Sequence, residues 1–106
     1  MIQQMTVEEL KTRMDGGKRP FLLDVREPHE REICKLTDDL HIPIREIQTK
    51  WADLKKDQEI VVYCRSGGRS LKVCQFLSQQ GFAKVVNLQG GILAWASSID
   101  PSMPTY

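Results

Sequence analysis

The stretch Cys64-Arg65-Ser66-Gly67-Gly68-Arg69-Ser70 holds the side chains of this sequence best suited to chemistry. An apolar run, Ile60-Val61-Val62-Tyr63, precedes it and a helical pattern from Leu71 to Gln80 follows, which puts the thiol in a loop between a strand and a helix N-terminus. The first N–H groups of a helix lack intrahelical partners and carry about half an elementary positive charge, so an anion is stabilised in front of them. Gly67 and Gly68 let the loop curl with its N–H groups inward, and Arg65 and Arg69 add positive charge around the same concavity. This setting favours the thiolate, the nucleophilic form of cysteine, over the inert buried thiol that is the commoner fate of a free cysteine.

The elements that must position this loop follow from patterning. Thr6 and Glu9 form a capping box ahead of Val7, Leu10 and Met14 at helical spacing, and Gly16-Gly17 ends that helix. The residues before Thr6 are read as leading straight into it. Strands are expected at Phe21–Val25, Leu40–Ile44, Ile60–Tyr63 and Lys84–Leu88, with one or two helical turns after Pro28 and a helical spacing of Ile47, Trp51 and Leu54. Gly81 should end the helix that follows the cysteine loop in a left-handed C-cap, and a short helix is expected over Ile92–Ala96. Strands alternating with helices at short spacing predict an α/β fold with a small, mainly parallel sheet flanked by helices on both faces. Ligands of such sheets sit beyond the carboxyl ends of the strands, which is where Cys64 falls.

A chain of 106 residues fits one domain, 1–106, with a core over about 6–96 and an extended tail over 97–106 that Pro101 and Pro104 keep from being helical. With a formal net charge of +1, nucleic acid and membrane surfaces are not expected partners. No signal-peptide pattern or membrane-length apolar stretch is visible, and a cytoplasmic, monomeric protein is the expectation. Cys34, Cys64 and Cys74 are odd in number and lack a Cys-x-x-Cys, which argues against a disulfide framework and a zinc site. His29 and His41 show no metal-ligand spacing, so neither metal nor cofactor is expected. Cys74 falls within the apolar arc of its helix and reads as a packed side chain, whereas the charged residues around Cys34 leave both an exposed, oxidisable thiol and a covered one open.

Four motifs together make the chain resemble a single-domain rhodanese: Asp24-Val25-Arg26-Glu27, Ile42-Pro43, the loop from Cys64 to Ser70, and Leu88-Gln89-Gly90-Gly91-Ile92-Leu93-Ala94-Trp95. Their order matches over about Thr6 to Trp95. The resemblance implies a sulfurtransferase in which Cys64 is the nucleophile and carries sulfur as a persulfide. Arg65, Ser66, Gly67, Gly68, Arg69 and Ser70 would then form the substrate-binding cradle. Asp24 and Arg26 are assigned to structural support, fixing the loop through hydrogen bonds. Sulfur would come from a small donor such as thiosulfate and leave to cyanide or an acceptor thiol, a double displacement.

Two further readings stay beside this one. Phosphatases and arsenate reductases also seat a cysteine in an anion-binding loop, but tyrosine-phosphatase-like loops place five residues between cysteine and arginine, and Cys64 to Arg69 encloses four. A smaller cradle suits sulfur better than a tetrahedral phosphate. The other reading is a persulfide carrier module. The tail Ile99-Asp100-Pro101-Ser102-Met103-Pro104-Thr105-Tyr106 resembles that of rhodanese domains fused to adenylating enzymes of molybdopterin and thiamine biosynthesis, which implies a ubiquitin-like sulfur carrier protein as a partner. Where that family usually has a Gly-Ala turn before its Ile-Pro, this chain has Thr37-Asp38-Asp39.

Overall fold

The strand Ile60–Tyr63 is buried at all four positions, because both faces of the sheet around it are covered. In the computed structural model, which describes residues 2–106, the elements run β1 (Gln3–Met5), α1 (Val7–Asp15), β2 (Phe21–Asp24), α2 (Pro28–Ile33), β3 (Leu40–His41), α3 (Ile47–Lys50), β4 (Ile60–Tyr63), α4 (Gly68–Gln79), β5 (Val85–Leu88) and α5 (Gly91–Ser98). Short 3-10 turns at Ile44–Glu46 and Trp51–Asp53 flank α3. The five strands are ordered β1-β5-β4-β2-β3, and every pairing is parallel. The expected α/β class, a parallel sheet between helices, is what is found.

Alternation along the strands divides the core into two. Leu23, Ile60 and Val62 point to one face, where Val73, Cys74 and Leu77 of α4 and Ile47 of α3 cover them. Leu22, Val61 and Tyr63 point to the other, against Val7 and Leu10 of α1 and Ile92 and Trp95 of α5. Full burial of each such aliphatic side chain contributes about 1.5–3 kcal/mol. The Thr6–Glu9 capping box forms as read, with Glu9 N–H donating to Thr6 Oγ1 at 3.1 Å, and Gly81 is left-handed at φ +98° where α4 ends.

Three boundaries depart from the pattern. The segment before Thr6 is a strand: Gln3, Gln4 and Met5 pair with Val86, Asn87 and Leu88 at the sheet edge, and only Met5 is buried, so no apolar alternation marked it. Only Leu40 and His41 of the expected Leu40–Ile44 strand are regular. Ile42 and Ile44 still donate their N–H groups to Asp24 and Val25 carbonyls at 3.0 Å, and Pro43, which lacks an N–H, falls between them. Helix α4 starts at Gly68, inside the cysteine loop, where glycines hid the helical pattern.

Candidate active site

The connections of the sheet diverge at its centre. Chain leaving β2 goes outward to β3, chain leaving β4 goes to β5 on the opposite side, and the crevice at their carboxyl ends is where open α/β sheets bind ligands. Cys64 immediately follows β4 there, and its Sγ receives the N–H of Gly67 at 3.1 Å and that of Ser70 at 3.4 Å. The turn between them needs Gly67 at φ +109°, a left-handed conformation that side chains with a Cβ disfavour.

The loop holds this inward curl because α5 grips its other side. Ile92 N–H donates to the Cys64 carbonyl at 2.9 Å and Leu93 N–H to the Arg65 carbonyl at 3.1 Å, so the carbonyls face α5 and leave N–H groups for the sulfur. Gly91 makes that approach possible. A Cβ there would lie 2.6 Å from the Cys64 carbonyl oxygen, and its φ is +63°.

Cys64 is 1% exposed. Burial pushes its thiol up, but the Ser70 hydroxyl and the N–H groups of Ser70, Gly67 and Ser66 more than offset this and hold it below the usual 9.0. The loop thus supplies neutral dipoles that favour sulfur anions. Cys74 shows the opposite case: burial without such donors pushes it up to about 12, in keeping with the packed role read for it.

Both loop arginines engage this chain. Arg69 forms a two-pronged pair with Glu30 at 2.8 and 2.7 Å, raising its own affinity for its proton and drawing the Glu30 carboxyl, despite burial, down to about 2. Arg65 donates through Nε to the main-chain carbonyl of Tyr106 at 2.7 Å, with a second bond from Nη2, and its guanidinium lies over the Tyr106 ring. The Tyr106 hydroxyl donates to Glu30 at 2.7 Å and accepts from Arg26 at 3.0 Å. The tail is therefore docked beside the loop, joining Arg65, Glu30 and Arg26.

Asp24 and Arg26 are both fully buried, their side chains joined by bonds of 3.0 Å, and Arg26 also donates to the Cys34 carbonyl at 2.8 Å. Arg31 bridges Asp24 and Asp39, and the Tyr63 hydroxyl donates to Asp39 at 2.5 Å. Among the described residues no buried side-chain nitrogen or oxygen lacks a partner, as so charged an interior requires. This network ties the end of β2 to α2, the Asp39 segment, Tyr63 of β4 and the tail, and it reaches the arginines of the cysteine loop through Tyr106 and Glu30. Cys34, left open by the sequence, is 8% exposed, covered where Arg26 passes beneath α2.

Glu30, Tyr106, Asn87 and Gln4 complete the site and were not legible as members of it. Asn87 donates through Nδ2 to the Gly67 carbonyl at 3.2 Å and to Gln4 Oε1 at 3.0 Å, and accepts from the Ser70 hydroxyl at 2.5 Å. Its one sequence signal is an amide in the otherwise apolar run Val85–Leu88. No group of three or more His, Cys, Asp or Glu among the described residues could hold a metal ion, and no helix there is long and apolar enough to cross a membrane.

Comparison with known proteins bears on this geometry. A sulfurtransferase of Allochromatium vinosum is 38% identical over 96 residues, covering 91% of this chain and 90% of that protein. The probable adenylyltransferase/sulfurtransferase MoeZ of Mycobacterium tuberculosis is 36% identical over 104 residues, which are 96% of this chain but 26% of the larger protein. A rhodanese-related protein from Thermoplasma volcanium superposes with a TM-score of 0.83 at 32% identity, covering 92% of this chain and 93% of its own. Residues 6–98 match the model of the rhodanese-like domain, and with a cysteine cradled by N–H groups at the end of β4 this chain belongs to the rhodanese-like family.

Proposed function

We propose that the protein is a sulfurtransferase in which Cys64 takes sulfur from a sulfane donor such as thiosulfate and carries it as a persulfide. The observation that carries this reading is the pair of N–H groups, of Gly67 and Ser70, already aimed at Cys64 Sγ. In the first displacement the thiolate attacks the outer sulfur of the donor. A new S–S bond forms, the donor's S–S bond breaks, and sulfite leaves with the electron pair. The second displacement reverses the roles: an acceptor thiolate or cyanide attacks the outer sulfur, and Cys64 leaves as a thiolate.

That thiolate is the species the loop favours, so the same N–H groups assist loading and unloading. Hydrogen bonds to charged groups are each worth about 1.5–3 kcal/mol, sufficient to hold a sulfur anion without a metal. Ser66 and Gly68 complete the cradle, and Arg65 and Arg69 at its rim favour anionic donors while Tyr106 and Glu30 fix their positions. Asp24 and Arg26 act from a distance by holding the tail and α2 that carry those partners. The protein works as a cytoplasmic monomer.

A second reading, a module that passes its persulfide sulfur to a ubiquitin-like carrier protein, is favoured by the likeness to MoeZ over 96% of this chain. The two share the Cys64 chemistry and differ in acceptor.

The test is intact-mass spectrometry of wild type and Cys64→Ser before and after thiosulfate, then after cyanide. Gain of one sulfur by wild type alone, removed by cyanide, is the expected result. No uptake from thiosulfate or from a protein persulfide would refute the sulfurtransferase reading.

A further inference from the structure

Asn87 decides where the single hydroxyl hydrogen of Ser70 points. The residue is 3% exposed in a strand whose other members are apolar. The Gly67 oxygen, a main-chain carbonyl, can only accept, so the atom 3.2 Å from it must be the amide nitrogen of Asn87, which also donates to Gln4. The amide oxygen then faces Ser70 Oγ at 2.5 Å, and it too can only accept. With its hydrogen on Asn87, Ser70 presents a lone pair to Cys64 Sγ, 3.4 Å away. A lone pair suits a thiol that donates and opposes a thiolate.

We propose that Asn87 is a positioning residue for Cys64: it keeps the Ser70 hydroxyl turned from the sulfur while Cys64 is a thiol, and releases that hydrogen when the sulfur becomes an anion. This deepens the reading of Cys64 as a sulfur carrier and rests on it. In the transfer cycle the bare thiolate, formed as sulfur leaves, draws the Ser70 hydrogen over. Loading the sulfur removes the charge from Sγ and returns the hydrogen to Asn87. No proton changes owner; one hydroxyl rotates. Asn87 thus moderates the thiolate, and the N–H groups of Gly67 and Ser70 carry its constant stabilisation.

Other groups around the sulfur are accounted for. Helix α4 brings Arg69, paired with Glu30 of α2, and Cys74. Arg65 is tied to Tyr106 of the tail, Asp24 of β2 to Arg26, and β5 and α5 bring no ionisable side chain. None of these bonds to Asn87 or to the Ser70 hydroxyl, so a shift in the Cys64 midpoint that requires Ser70 reports on the hydroxyl, and one that does not reports on the Asn87 bond to Gly67.

The test is the pH dependence of alkylation at Cys64, followed by peptide mass in wild type, Asn87→Val, Ser70→Ala and the double variant. Asn87→Val frees the Ser70 hydroxyl to donate to the thiolate, so the thiolate fraction at a fixed pH below the midpoint should rise about three- to tenfold. In the Ser70→Ala background the same change should give no rise. A midpoint unchanged or raised by Asn87→Val, the result expected if Asn87 merely props Gly67, overturns the proposal, as does an equal rise in both backgrounds.

Should Asn87→Val fail to fold, the unaltered protein serves. Its Asn87 side-chain amide resonances should titrate with the Cys64 midpoint and lose that response in Ser70→Ala; resonances flat through the midpoint overturn the proposal. Neither readout uses a sulfur donor. Failure of sulfur uptake would therefore count against the proposed activity, and failure of this coupling against Asn87 alone.

Discussion

Removing the charge of Glu30 should flatten the acid limb of the stability profile. The carboxylate is 5% exposed and accepts from both terminal guanidinium nitrogens of Arg69, from the Tyr106 hydroxyl and from the Glu27 N–H, which together hold it at about 2 against the usual 4.5. At about 1.4 kcal/mol per tenfold change in proton affinity, that depression contributes about 3 kcal/mol. Because the folded value lies below the unfolded one, the contribution is complete above about pH 4.5 and is lost as pH falls through about 2. Urea unfolding of wild type and Glu30→Gln across this range should show a gap of about 3 kcal/mol at pH 7 that closes towards pH 2. Asp39 and Glu59, also held below their usual values, titrate in both proteins and cancel in the difference. Parallel profiles would refute the reasoning and mean that folding does not favour the ionised form of Glu30.

Three further outcomes are expected. Gly91→Ala puts a methyl group against the Cys64 carbonyl at a positive φ, so it should destabilise by more than about 1 kcal/mol and displace the loop, raising the Cys64 alkylation midpoint towards 9. Leu77→Ala opens the α4 side of the core, where Leu77 is fully buried, and should lower stability by about 2–5 kcal/mol in denaturant titration. Tyr106→Phe removes a donor to Glu30 and an acceptor for Arg26; about 1–2 kcal/mol should be lost, with faster proteolysis of the tail than in wild type.

Much of the site was legible because its logic is local. A thiol followed within four residues by two glycines, between an apolar run and a helical pattern, is enough to predict a curled loop at a helix N-terminus, since strand period, helix period and glycine conformation are properties of short segments. The same local rules gave α1 with its capping box, the buried β4, and the parallel α/β class.

What the tertiary structure alone decided is non-local. Strand β1 exists because β5 offers it an edge: Gln3 and Gln4 remain exposed, and their pairing partners lie more than eighty residues away. The destinations of Arg65 and Arg69 followed from the same cause. Loop position left both free to face a substrate anion, whereas the fold brings Glu30 of α2 and Tyr106 of the tail to them across 39 and 41 residues. Local sequence likewise left the exposure of Cys34 open, and Arg26, eight residues before it, covers it in the fold. Sequence by itself singled out Cys64 as the candidate nucleophile and placed it in a loop whose backbone N–H groups turn towards it, because these depend on neighbours along the chain. Which side chains hold that loop in place, Asn87 from β5 and the Gly91 turn of α5 among them, depends on neighbours in space, and only the folded sheet supplies those.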